Sequence, residues 1–297
     1  MDNYTRIVSL CTACLFLLAL PVTGLAVEEQ RSHAQRGAVG IGADFSTGTY
    51  GGAGQTSFLS IPVIIDIFPA ERIDAELEIP LVYQSNTNNS YGATITPGTA
   101  LPAARTASRR FGQGDMTGTA TTTAPLASNQ SAAAGGGRWN LGDMALTVGY
   151  AVVEEHGGWP RIRSLAYLKF PTGNRDEGTG TGEFDAGGGI SVSKWYGAAR
   201  LMAEALYVFQ GRNDLYPSRD YLSYSSGVGW QATERLLPSL TFRGKSPMSD
   251  GEAAQREARV KIFYEYSSQV SVEGYAGTGF SESSPDFSAG LTLLYGF

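Results

Sequence analysis

Residues 287–297 read Phe-Ser-Ala-Gly-Leu-Thr-Leu-Leu-Tyr-Gly-Phe, FSAGLTLLYGF. Odd positions carry Phe287, Ala289, Leu291, Leu293, Tyr295 and Phe297, while even positions carry Ser288, Gly290, Thr292, Leu294 and Gly296. Successive side chains of a β-strand point to opposite faces. The stretch therefore predicts a strand with one apolar face and one nearly bare face. What covers the apolar face, a protein core or lipid, decides the fold.

The same period of two recurs upstream. Apolar residues alternate with polar or small ones at Val39–Phe45, Leu59–Ile67, Ile73–Tyr83, Met144–Val152, Ile162–Phe170 and Phe184–Val192. It continues at Leu201–Phe209, Leu222–Trp230, Leu236–Phe242, Ala258–Tyr266 and Val270–Phe280. With the last stretch this gives twelve strands. Their connections alternate in length. Those at 46–56, 84–140, 171–183, 210–220, 244–257 and 281–286 are long; those at 68–72, 153–161, 195–198, 231–235 and 267–269 are short. A soluble sandwich has no reason for that alternation. A closed antiparallel outer-membrane barrel does, with short periplasmic turns and long outer loops. In lipid every backbone N–H and C=O must be paired, so a sheet spans only by closing on itself.

The expected fold is therefore an all-β, up-and-down transmembrane barrel of about 12 strands over 37–297. An extra hairpin near Tyr91–Thr96 would raise the count to 14. The polar side chains opposite the apolar face should then line a lumen. These are Asp44, Asp74, Glu76, Glu78, Asp143, Arg163, Tyr167, Lys169, Asp185, Arg200, Glu204, Arg243, Arg259, Lys261, Glu265 and Glu273. Aromatics should form two belts. The periplasmic belt holds Trp159, Trp195, Tyr196, Trp230, Tyr264, Tyr266, Tyr295 and Phe297. The outer one holds Phe45, Phe58, Tyr83, Phe170, Phe184, Phe209, Tyr221, Phe242, Phe280 and Phe287. Residues 85–138, rich in Thr, Ala, Gly and Ser, read as a long outer loop, either disordered or folded into the pore.

Residues 1–26 read as a secretory signal peptide: Arg6, an apolar core from Ile7 to Leu20, Pro21, then Gly24-Leu25-Ala26. Residues 27–36 read as a periplasmic tail. Both cysteines, Cys11 and Cys14, would leave with the signal, so no disulfide is expected. The net charge of -6 gives no footprint for nucleic acid.

Little points to catalysis. The chain has two histidines, His33 in the tail and His156 in a short turn. Neither is placed for a Ser–His or Asp–His device. Asp74, Glu76 and Glu78 share one strand face and read as partners for Arg163, Lys169, Arg259 and Lys261. No Cys/His cluster suggests a metal, and no cofactor is expected. Asp176, Glu177 and Asp185 lack the spacing of a calcium loop and read as solvated charges.

Three stretches carry a resemblance: Gly142-Asp143-Met144-Ala145-Leu146 with Gly149-Tyr150, Lys169-Phe170-Pro171-Thr172-Gly173-Asn174, and Gly178-Thr-Gly-Thr-Gly182 with Asp185. Together they resemble the outer-membrane proteins of the "MetA-pathway of phenol degradation" family, over roughly residues 140–297. The resemblance implies a transporter-like barrel for aromatic or other hydrophobic small molecules, and carries no catalytic residues. Physically, Pro171 should end ladder pairing and Thr172-Gly173-Asn174 should start the outer turn.

The reading is a non-enzymatic channel in the bacterial outer membrane for passive passage of small, hydrophobic or aromatic molecules. Its alternative is a structural or surface-interaction barrel with a closed lumen. Expected partners are outer-membrane lipid, the barrel-assembly machinery (reading Phe297 as a terminal signal) and the solute.

Overall fold

The computed structural model describes residues 36–297, except 53, 85–90, 93–94, 97–120, 123–125, 128–137, 176–178 and 213–217. The expected signal peptide, most of the long loop, His33, Asp176 and Glu177 thus lie outside the described residues.

Twelve antiparallel strands form the wall. They are β1 (Gly37–Gly48), β2 (Thr56–Ala70), β3 (Ile73–Gln84), β4 (Arg138–Leu141 and Met144–Val153) and β5 (Arg161–Phe170). β6 (Asp185–Tyr196), β7 (Ala199–Phe209), β8 (Tyr221–Trp230) and β9 (Leu236–Lys245) follow, then β10 (Gln255–Glu265), β11 (Val270–Gly279) and β12 (Phe287–Gly296). Each pairs with its sequence neighbours, and β1 pairs with β12, so the sheet is closed. Two short bridges, Tyr91–Gly92 with Leu126–Ala127 and Ile95–Thr96 with Thr121–Thr122, stand apart from this sheet. The Tyr91–Thr96 segment therefore adds no hairpin to the wall.

The β4 strand starts earlier than the alternation suggests. Its first part pairs Leu81 with Leu141, and its second pairs Glu78 with Ala145. The register slips by one residue at Gly142-Asp143, which is a β-bulge. The bulge hides the strand start from a strict period-two reading.

Following the pairings once round the barrel returns to β1 displaced by about 14 residues. Twelve strands with that stagger tilt by roughly 40° and give a backbone radius of roughly 12 Å. The seam is made by backbone groups. Val39 lies opposite Tyr295, Phe297 N donates to Gly37 O (3.0 Å), and Arg36 N donates to Phe297 O (2.8 Å).

Outside, the mid-wall band is exposed and apolar: Ile41, Ile190, Val228, Leu240, Val260, Ile262 and Leu291 are among its residues. Aromatics flank it. Trp159, Trp230, Tyr264, Tyr266, Tyr295 and Phe297 are exposed near the short turns; Phe45, Phe184, Phe209, Phe242, Phe280 and Phe287 are exposed near the long loops. Three residues expected in these belts turn inward instead. Phe58 and Tyr221 are buried, and Trp195 packs against an interior cluster. They share strand parity with inward neighbours such as Ser60, Ser223 and Ser193, so closeness to a strand end was a misleading cue for them.

Candidate channel interior

By strand parity the sixteen polar side chains named above share the face of the buried positions. Glu204, Arg243 and Glu265 keep partial exposure, and the other thirteen are buried. Charge is unevenly distributed round the wall. Among the described inward side chains, β1–β4 carry Asp44, Asp66, Asp74, Glu76, Glu78 and Asp143 and no base. The bases stand on β5, β7, β9 and β10: Arg161, Arg163, Lys169, Arg200, Arg243, Lys245, Arg259 and Lys261. The acids Asp185, Glu204, Glu257, Glu265 and Glu273 share that side.

Because burying an unpaired charge costs several kcal/mol, most of these groups find partners. The partners differ from those the sequence suggested. Arg163 does pair with Asp74. Lys169, however, lies between Asp143 (3.2 Å) and Asp185 (2.8 Å), Arg259 pairs with Glu257 (2.9 Å), and Lys261 with Glu273 (2.7 Å). The Arg259 guanidinium also sits 4.0 Å from the centre of the Tyr275 ring. Asp185 is therefore a buried member of an ion-pair group and no solvated loop charge.

Two bridges reach over an intervening strand, and each passes above a glycine. Asp74 on β3 is opposite Gly149 on β4, and Arg163 on β5 reaches across it. A Cβ at Gly149 would lie 2.1 Å from Arg163 Nη2 and 2.6 Å from Asp74 Oδ2. Likewise Gly290 on β12 lies opposite both Asp44 and Tyr275, and Tyr275 Oη donates to Asp44 Oδ1 (2.8 Å) above it. A Cβ at Gly290 would come within 2.3 Å of both side chains. Bare positions on the inner face thus make room for cross-strand polar contacts.

The motif residues converge at the outer rim. Asp143, on the β4 bulge, accepts from Gly173 N (2.9 Å) and Thr181 N (3.1 Å) while pairing with Lys169. Thr172 Oγ1 donates to Gly142 O (2.9 Å) and accepts from Met144 N (2.9 Å). Thr179 Oγ1 donates to Leu141 O (3.0 Å), and Lys169 Nζ donates to Thr181 Oγ1 (2.7 Å). Three stretches that look separate in sequence are one hydrogen-bonded knot, tying the loop after β5 to the β4 bulge. Lys169↔Asp185 is the last pair between β5 and β6, and Phe170↔Met144 the last between β5 and β4, so Pro171 falls where pairing stops.

The interior also holds apolar groups. Towards the periplasm, Met202, Leu237, Phe263 and Leu294 cluster with Trp195 against them. Arg200 stacks on Trp195 (5.6 Å) and donates to Ser193 Oγ (3.2 Å). Towards the outside, Leu165, Tyr167, Leu206, Val208, Tyr221 and the loop residue Met248 form a second cluster. Beside the outer cluster and below it, the inner faces of β6–β9 keep partial exposure at Gly187, Gly189, Glu204, Ser223, Ser225 and Arg243.

Residues missed on the inner wall include Asp66, Arg161, Lys245 and Glu257, all buried. Lys245 and Glu257 lie within the 244–257 connection expected from the alternation, yet each continues the parity of Arg243 and Arg259 and belongs to a strand. His156 is exposed in a periplasmic turn, its Nδ1 2.9 Å from Glu154 O. Among the described residues no group of His, Cys, Asp or Glu has the arrangement of a metal site.

A closed twelve-stranded sheet with an apolar outer band, aromatic belts and a charged interior is an outer-membrane β-barrel, and its place is the bacterial outer membrane. The profile of the family described as "Putative MetA-pathway of phenol degradation" matches residues 44–297, and the chain belongs to that family. No curated protein matches it in sequence. Among solved structures it is similar to the CymD monoaromatic hydrocarbon channel, at 10% identity over 89% of this chain and 89% of that one, with a TM-score of 0.46. It is similar to the KdgM porin, at 8% identity over 88% and 99%, with a TM-score of 0.48. It is also similar to the P. putida toluene transporter TodX, at 8% identity over 90% and 91%, with a TM-score of 0.41.

Proposed function

We propose that the protein is a passive channel carrying small hydrophobic or aromatic molecules across the outer membrane. The observation that carries this reading is the partly exposed inner face of β6–β9, where glycine and serine replace bulky side chains. It runs past the outer apolar cluster, so a solute with an apolar body has both room and a surface to follow. The resting barrier is the layer of Met202, Leu237, Phe263 and Leu294 at the periplasmic end. An apolar constriction slows water, ions and polar solutes more than apolar ones, so what passes it as current is small.

That same buried layer favours a second reading, a structural or surface-interaction barrel whose lumen stays closed. One experiment separates the two. Purified protein is placed in planar bilayers, and arabinose uptake is followed in proteoliposomes. The channel reading expects small conductance steps or measurable uptake. Neither conductance nor uptake would leave the closed barrel as the answer.

A further inference from the structure

The outward face of the wall is almost free of charge. Among the described strand residues of outward parity, the charged ones are Lys194 and Arg256. Lys194 is buried at the periplasmic end, where it pairs with Glu155 (3.2 Å). Arg256, near the outer end of β10, is exposed. Among the described residues no carboxylate forms an ion pair with it, the exposed Glu282 and Asp286 of the neighbouring turn included.

Its height is set by the ladder. Phe280 N donates to Arg256 O (2.8 Å), and Phe242 lies opposite Ala258, the next outward residue of β10. Both rings are exposed members of the outer aromatic belt. Arg256 therefore stands level with lipid headgroups and above the acyl chains. A second polar group meets it there. Gly244 on β9 lies opposite both Tyr224 on β8 and Arg256 on β10. The tip of the Tyr224 ring folds over this glycine: a Cβ at Gly244 would lie 2.5 Å from both Cζ and Oη. The bare position thus carries the phenol from β8 towards β10. A guanidinium and a hydroxyl share one outward patch, with the Phe242 ring 6.4 Å from that of Tyr224.

The patch specifies its occupant. A guanidinium binds two phosphate oxygens at once, and a phenol donates to a further one. Directly below, Leu240 and Val260 are opposite each other and exposed. A free phosphate ion would gain nothing from that apolar strip, whereas acyl chains would cover it. We propose that Arg256 and Tyr224 bind the phosphate of an outer-leaflet lipid whose acyl chains lie on Leu240, Ala258 and Val260. The site is on the outside of the wall, so the proposal holds whether or not the lumen conducts.

The test uses the folded full-length mature barrel in neutral detergent. EDTA is present, so that no divalent ion bridges a carboxylate to a lipid phosphate. Native mass spectrometry follows titration with diphosphoryl lipid A, with the same lipid stripped of its phosphates, and with inorganic phosphate. The phosphorylated lipid is expected to bind at least about tenfold tighter than the stripped one, and inorganic phosphate at the same concentration should not displace it. Arg256→Gln should weaken it about tenfold, the scale of a lost charge-assisted contact, and Tyr224→Phe about threefold. Arg219→Gln, at an exposed rim arginine paired with Asp250 (3.1 Å), should change nothing. Heat-modifiable gel mobility checks that each variant is folded; if Arg256→Gln is not, Tyr224→Phe decides. Equal binding of the two lipids, or unaltered binding in the folded variants, overturns the proposal. So does an equal loss with Arg219→Gln, which would mean diffuse attraction to the rim. Displacement by inorganic phosphate would make this a free-anion site and overturns the lipid assignment.

Discussion

Replacing Lys169 by methionine tests whether the rim knot is held by its buried cation. Lys169 is fully buried, and Asp143 and Asp185 are each 2% exposed at the side chain. The substitution keeps the length and apolar stem of the side chain but removes the charge facing two carboxylates. Removing one partner of a buried ion pair costs about 3–5 kcal/mol, because the other charge remains buried alone. At this burial no discount for solvent screening applies. The lower bound corresponds to a shift of about a hundredfold in the folded-to-unfolded ratio. The bond from Lys169 to Thr181 is lost as well, which places the effect towards the upper end. Urea titration of the barrel in lipid vesicles, read by gel mobility and tryptophan fluorescence, gives the difference. The double variant Lys169→Met/Asp185→Asn should recover part of the loss, since it removes one stranded carboxylate. A loss below about 1 kcal/mol for Lys169→Met, or no recovery in the double variant, would refute the view that this triad is an interdependent buried unit.

Phe263→Ser, placing a small polar side chain in the periplasmic apolar layer, should raise single-channel conductance several-fold in planar bilayers; unchanged conductance would remove that layer as the barrier. Gly149→Val should cost about 1–3 kcal/mol by overpacking, because its side chain occupies the space between Arg163 and Asp74; the urea midpoint checks this, and an unchanged midpoint argues against the bridge. Deleting Phe297 removes the bonds to Arg36 and Gly37 at the seam, each worth about 1 kcal/mol. Outer-membrane fractionation should then show less folded barrel while export to the periplasm is unchanged.

Much of the architecture was legible because parity is a local property. A residue's neighbours at i±2 fix its face, so alternation alone groups the residues from Asp44 to Glu273 on one side of the wall. Parity says nothing about which inward residues meet. The partner of Lys169 depends on register and stagger round the barrel, which bring Asp143 and Asp185 beside it and leave Glu76 and Glu78 elsewhere. The interior apolar residues were missed because inward positions were expected to be polar. The signal was present where alternation gives way to runs apolar on both faces, as in Leu206-Tyr207-Val208-Phe209, Leu236-Leu237 and Leu293-Leu294. The unity of the rim knot was not legible, since it joins segments some 30 residues apart through a bulge that no spacing announces.

The seam has a further consequence. Arg36 and Phe297 are hydrogen-bonded neighbours on the periplasmic rim, so the wall is a ring cut at one place. To the finished fold, the location of the cut is nearly immaterial: a chain opened instead at the 231–235 turn, with its old ends joined by a short linker, would make the same ladder of pairings. The permuted chain would, however, finish on different residues. Such a permutant would test separately what the barrel needs in order to persist and what it needs in order to be inserted.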